Sequence, residues 1–193
     1  MWEDMKEHNR VDMKKNKHNR CEKKAEKAAA YPKGNRLVAL CGVFIALAMI
    51  LSYLESLIPV TVAVPGVKLG LANLVTIIAL KKLGIKPTIV ISVGRIVLSG
   101  LLFSNAAVII YSLAGAALSI AVMLVVDKIR FFTVTGVSIC GAIAHNAGQI
   151  LVAAIALENL NIFYYMAILG ISGAIVGALI GILAGYLIKN IRI

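Results

Sequence analysis

Charged side chains are scarce beyond residue 36 of this chain. Residues 1–36 carry eleven of the twenty Lys and Arg and six of the nine Asp and Glu. The following 157 residues hold nine basic and three acidic side chains, and hydrophobic residues make up 60% of the whole chain. A soluble domain of that composition would leave too much apolar surface in water. The scarcity of charge therefore excludes a soluble globular domain and indicates an integral membrane protein.

Cysteine is also scarce, and its spacing excludes two kinds of structure. The three cysteines, Cys21, Cys41 and Cys140, lie far apart, with no C-x-x-C motif and no Cys/His cluster. Cys21 belongs to the polar N-terminal segment, whereas the other two lie within apolar runs. This pattern indicates neither a disulfide framework nor a metal site. We therefore expect no metal and no other cofactor.

Long apolar runs take the place of charge after residue 36. Each is close to the roughly 20 residues that cross the ~30 Å hydrocarbon layer as a helix, and none shows the alternation of a membrane β-barrel. The sequence predicts an all-α integral membrane protein with six transmembrane helices, at about 37–57, 67–83, 87–103, 106–126, 132–157 and 163–188. Residues 37–189 would form this transmembrane domain. Residues 1–36 would form a basic tail too polar to fold alone.

The distribution of Lys and Arg predicts the orientation, because these residues are retained on the cytoplasmic side. Basic residues occur in the tail, near the C-terminus and in the loops at 81–86 and 127–130. The three alternate loops contain none. Since six spans place both termini on one side, we expect both termini in the cytoplasm. The tail is then interpreted as a positive-inside signal that touches anionic lipid, rather than as a nucleic-acid-binding segment.

Small residues in two of the runs predict close helix packing. The sixth run has glycine at four-residue spacing, and the first has a shorter row of small residues. In lipid, small residues on one face let two backbones approach closely. The pattern leaves open whether the partner helix belongs to this chain or to another subunit. The rows are Gly173, Gly177, Gly181 and Gly185 in the sixth run, and Ala39, Gly42 and Ala46 in the first.

Arg95 lies near the middle of the third run, where an ionisable group costs several kcal/mol unless it is paired or faces water. Thr88, Ser92 and Ser99 fall on the same helical stripe as Arg95. Arginine is permanently charged and offers a rigid fork that suits a carboxylate or a phosphate. The stripe favours a binding function for Arg95. The alternative is a structural arginine that holds helix carbonyls.

Polar residues in the second and fifth runs extend this set. Lys68 and Asn73 lie in the outer part of the second run, although Lys68 could instead extend to the membrane interface. The fifth run contains three polar residues within about one turn, at 145, 146 and 149. By predicted depth, all of these groups converge on one cavity open to the outside, with a positive bias. We predict no catalytic residue and a substrate-binding set of Lys68, Asn73, Arg95, His145, Asn146 and Gln149.

Two strings in these runs, together with Arg95, resemble a known bacterial membrane family. They are PGVKLGLAN at residues 65–73 and GAIAHNAGQ at residues 141–149. The family is labelled heptaprenyl diphosphate synthase component I and is also called the Gx transporter family; the resemblance covers about residues 36–190. It is similar in turn to the S components of energy-coupling factor (ECF) transporters. Those have six helices, bind a vitamin-like ligand from outside and dock on a T subunit partly through small residues in helix one.

The resemblance implies a multi-pass protein of the bacterial cytoplasmic membrane and leaves three functions open. The first, which is our main interpretation, is S-component-like binding or transport of a small, anionic organic solute, with a T subunit and ATPases as partners. The second is a noncatalytic membrane subunit of heptaprenyl diphosphate synthase, in isoprenoid-quinone synthesis, with a soluble synthase subunit. The third is a membrane anchor of a redox assembly. Prenyl transfer normally needs Mg²⁺ on Asp-rich clusters, and the acids beyond residue 36 stand singly, so we do not expect an enzyme.

Overall fold

The computed structural model describes residues 34–57, 70–103, 106–129 and 131–190, which are almost entirely helical. A 3-10 helix, Leu160–Tyr164, precedes the last α-helix. The described residues contain no strand, so the predicted all-α membrane bundle is confirmed. The α-helices of the described residues are α1 (Asn35–Leu57), α2 (Leu71–Lys82), α3 (Ile85–Phe103), α4 (Ala106–Lys128), α5 (Val134–Ala156) and α6 (Tyr165–Asn190).

One helix is shorter than a membrane span. The other five described helices are long and apolar enough to cross a membrane. Helix α2 has 12 residues, or about 18 Å at the helical rise per residue, which falls short of the ~30 Å hydrocarbon layer. Residues 67–69, where the sequence predicts its first turn, lie outside the described residues. The bundle therefore contains five full-length candidate spans and one short helix.

Local sequence explains where α2 and α3 begin. Gly70, immediately before α2, has a φ of 66°, a left-handed conformation that glycine adopts without steric cost. Pro87 lies in the first turn of α3, where a missing N–H leaves no helical hydrogen bond unmade. Thr88 Oγ1 donates a hydrogen bond of 2.8 Å to Gly84 O in the turn before α3. The predicted break at 84–87 therefore lies at Gly84, with Pro87 inside the helix.

Helix α2 lies between two groups of buried apolar side chains. Leu74 and Ile77 pack with Met123 of α4, Val137 of α5 and Ile180 of α6. The opposite side of α2 packs against α1 and α3 in a second cluster of Ala48, Val75, Ala79, Leu83 and Ile91. The short helix therefore has a central position, with neighbours on both sides.

The glycine row of α6 packs within this chain. A Cβ added to Gly177 would lie 2.9 Å from Ile139 Cα of α5, and one added to Gly181 would lie 2.6 Å from Thr135 Cα. Gly173 also faces α5, whereas a Cβ on Gly185 would meet no atom within 4 Å. The sequence leaves open which helix packs on this row. In the structure, α5 packs on the first three of its glycines.

The small-residue row of α1 has no comparable neighbour among the described residues. Ala39, Gly42 and Ala46 are all exposed. A Cβ added to Gly42 would meet no atom within 4 Å. This face of α1 is therefore open in the described structure.

Cysteine labelling tests the orientation, which stays a prediction. We expect a membrane-impermeant thiol reagent added outside to label Asn159→Cys and not Ile129→Cys, in a chain whose native cysteines are replaced by alanine. Both positions are exposed in the structure, and both should react after the membrane is permeabilised. Labelling at 129 but not at 159 in intact cells would invert the assigned orientation.

Candidate functional site

A cavity of about 360 Å³ lies where the six described α-helices meet. Its lining comes from the first halves of α2, α4 and α6 and from the second halves of α1 and α3. The basic residues Lys81, Lys128 and Lys189 lie at the opposite ends of α2, α4 and α6. The cavity is therefore in the half of the bundle away from the basic ends, which is the outer half in the predicted orientation.

Five of the six residues that the sequence predicts as a binding set line this one cavity. Helix α2 contributes Asn73, helix α3 contributes Arg95, and helix α5 contributes His145, Asn146 and Gln149. Lys68, the sixth, lies outside the described residues. The predicted convergence of polar groups from three separate helices is thus present, and binding by these residues stays a prediction.

Arg95 brings a fixed positive charge to the cavity wall. Its Nε is buried and has no hydrogen-bond partner, and Ser99 Oγ, one turn further along α3, is in the same state. A buried N–H of a charged group that makes no hydrogen bond is unfavourable. Among the described residues, no helix carbonyl accepts a hydrogen bond from Arg95 Nε. The arrangement favours an arginine whose Nε–H can donate to a group bound in the cavity.

Glu55 of α1 is a cavity residue outside the predicted set. Its Oε1 accepts a hydrogen bond of 2.7 Å from Gly70 N–H, at the start of α2. Its negative charge also interacts with Arg95 across the cavity. The signal for it was present in the sequence, because Glu55 is the single acidic residue of the first apolar run. Ser52, Tyr53, Ser99 and Ser112 complete the polar lining.

The predicted stripe on α3 divides into two parts with different environments. Arg95 and Ser99 line the cavity, whereas Thr88 and Ser92 are fully buried against neighbouring helices. Ser92 Oγ lies 3.5 Å from Thr76 Oγ1 of α2, a hydrogen-bond distance. The first half of the stripe therefore joins α3 to α2, and only the second half can reach a ligand.

Close contacts between α4, α5 and α6 position the polar residues of α5. Asn146 Nδ2 donates a hydrogen bond of 2.8 Å to Leu169 O of α6, which partly commits this side chain to helix packing. A Cβ on Gly115 of α4 would lie 2.8 Å from His145 O and 3.0 Å from Gln149 Cγ. Glycine at 115 therefore lets α4 approach the turn of α5 that carries His145 and Gln149.

The described acidic residues stand apart from one another. Glu55 lines the cavity, Asp127 forms an ion pair with Lys81, and Glu158 is exposed after α5. Within the described ranges, no three His, Cys, Asp or Glu side chains group closely enough to hold a metal ion. The described residues thus offer no carboxylate cluster of the kind that binds Mg²⁺.

Comparison with known proteins gives one match. A family model described as "Heptaprenyl diphosphate synthase component I" matches residues 44–187, which is well over half of the chain and includes every cavity residue. No curated protein and no solved structure matches the chain.

Proposed function

Because the chain belongs to the heptaprenyl diphosphate synthase component I family, we propose that it is a noncatalytic membrane component of this type. Its cavity binds a small organic solute that carries an anionic group. The observation behind this proposal is the buried Nε of Arg95, which has no hydrogen-bond partner in a cavity that all six helices line. An anionic group on the solute would form the charge-assisted, often bidentate contact that arginine favours.

The family description supports a role beside a synthase. Prenyl transfer requires stabilisation of a diphosphate, normally by Mg²⁺ on Asp-rich clusters. The described acids of this chain are too far apart for that. In this role, a soluble Asp-rich subunit carries out the transfer, and this chain holds it at the membrane and binds a ligand of the complex.

The size of the cavity favours solute uptake as a second candidate. Its volume of about 360 Å³ lies at the lower end of the range for small-molecule sites, roughly 300–1,000 Å³. A compact solute fits this space, whereas a long prenyl chain with its diphosphate does not. In this role the chain resembles an ECF S component, and a T subunit with ATPases supplies the energy.

Two measurements on the full-length protein separate these roles. We expect the synthase role to show a soluble Asp-rich prenyl synthase subunit that co-purifies with the tagged chain and leaves the membrane fraction when the chain is deleted. We expect the uptake role to show lower accumulation, in the deletion strain, of the solute released from the purified protein. Arg95→Lys, which alters the cavity alone, should reduce uptake and leave co-purification intact. The proposal would be contradicted if no synthase subunit co-purified or depended on the chain for its place in the membrane, if the purified protein released no solute, and if deletion left solute accumulation unchanged.

A further inference from the structure

Two opposite charges face the same cavity without touching. Arg95 extends from α3 and Glu55 from α1, and both line the space of about 360 Å³. Their charges interact electrostatically. However, Glu55 and Arg95 do not form an ion pair at contact distance. Among the described residues, the ion pair at that distance joins Lys81 and Asp127. Arg95 and Glu55 therefore present a positive and a negative group to the same cavity without an ion pair between them.

Glu55 is held at this position by the backbone of another helix. Gly70 N–H donates a hydrogen bond to Glu55 Oε1, so the carboxylate lies at the start of α2. The N-terminal end of a helix favours a negative charge through the helix dipole. The position of the Glu55 carboxylate is thus fixed by α1, which carries it, and by Gly70, which donates a hydrogen bond to it.

The two charges impose a condition on the solute. A solute with only an anionic group would be attracted by Arg95 and repelled by Glu55 in the same low-dielectric space. A solute with only a cationic group would be attracted by Glu55 and repelled by Arg95. A solute that carries both groups is attracted at both ends, and the neutral side chains of Asn73 and Gln149 offer hydrogen bonds between them.

We propose that the cavity binds a dipolar solute, in which an anionic group contacts Arg95 and a cationic amine contacts Glu55. This inference rests on solute binding as the proposed function and adds the chemical class of the solute. It assigns Glu55 as the residue that distinguishes a dipolar solute from a simple anion.

The probes for the test are pools of small molecules from the dialysate of a cell extract, divided by ion exchange. The dipolar pool is retained by a cation exchanger at acidic pH and then by an anion exchanger at alkaline pH. The anionic pool is retained only by the anion exchanger, and the cationic pool only by the cation exchanger. The neutral pool is retained by neither. The measurement is the thermal unfolding temperature of the full-length protein, washed in detergent until it releases no further solute, with increasing amounts of each pool.

We expect the dipolar pool to raise the unfolding temperature of the wild-type protein. Glu55→Gln keeps an oxygen that accepts from Gly70 N–H and removes only the charge. This variant should need roughly tenfold to a hundredfold more of the dipolar pool for the same shift, the range for a hydrogen bond to a charged group. Glu55→Asp, which retains the charge, should bind better than Glu55→Gln. Glu158→Gln is the matched control, because Glu158 is exposed, and it should behave as wild type.

Other outcomes are equally decisive. Stabilisation of the wild-type protein by the anionic, cationic or neutral pool instead would overturn the dipolar assignment and leave solute binding standing. A Glu55→Gln variant that responds to the dipolar pool as strongly as wild type does would also overturn the dipolar assignment. If no pool shifts the unfolding of the wild-type protein, solute binding itself fails. The wild-type measurements decide among these cases even where a variant does not fold.

Discussion

Replacement of Gly181 by leucine is expected to destabilise the bundle by about 3 kcal/mol or more, at or above the upper end of the usual range for overpacking. The reason is backbone contact. A Cβ at this position would lie 2.6 Å from Thr135 Cα and 2.8 Å from Ser138 Cβ of α5. Backbone atoms cannot move aside as a flexible side chain can, so α5 and α6 must separate. The measurement is the unfolding of the purified protein in detergent, followed by helical circular dichroism.

The same row of glycines provides the control for this experiment. Gly185 lies one turn beyond Gly181, and a Cβ there would meet no atom within 4 Å. Gly185→Leu should therefore change stability by no more than about 0.5 kcal/mol, the usual effect of a substitution at an unconstrained surface position. Equal effects of the two variants would mean that the contact between α5 and α6 is not what constrains position 181.

Replacement of Arg95 is expected to have the largest effect on solute binding. Arg95→Ala should weaken binding by about 2–5 kcal/mol, because it leaves the anionic group of the solute buried and unpaired. Arg95→Lys should also weaken binding substantially, since lysine keeps the charge and loses the planar fork. Asn73→Ala and Gln149→Ala should each cost less, about 1–3 kcal/mol, the range for a neutral polar group left unsatisfied.

Calorimetric titration of the washed, solute-free proteins with the solute released from the wild-type protein measures these effects, after thermal unfolding has shown that each variant folds. Lys86→Ala is the control for the loss of a positive charge from α3, because Lys86 is exposed and does not line the cavity. Normal binding by Arg95→Lys would assign Arg95 to the structure of the bundle and remove the main support for an anionic group on the solute.

The sequence predicts the helical bundle and much of the cavity from simple physical signals. The length of each apolar run predicts a helix, because a segment in lipid must satisfy its backbone hydrogen bonds internally and a helix does so. The cost of polar groups in lipid identifies Asn73, Arg95, His145 and Gln149 as residues in need of a partner or of water. The structure brings all four to one cavity.

Other features depend on how helices pack and could not be predicted from one run at a time. Periodicity places Ser92 and Arg95 on one stripe, but only the position of α2 determines that Ser92 is buried against Thr76 while Arg95 faces the cavity. Glu55 lies near the end of its run, so its approach to Gly70 depends on the start of α2. The equal spacing of the glycines likewise does not show that contact with α5 ends before Gly185.

The most direct test of a solute-binding cavity is mass spectrometry of small molecules released from the purified full-length protein, without any added ligand. Wild type and Lys86→Ala should release the same compound, at about one molecule per chain for a single site. Arg95→Ala, prepared in parallel and shown to be folded, should release little or none. Release of no compound by the wild-type protein, or of equal amounts by wild type and Arg95→Ala, would contradict the assignment of this cavity as a binding site that depends on Arg95.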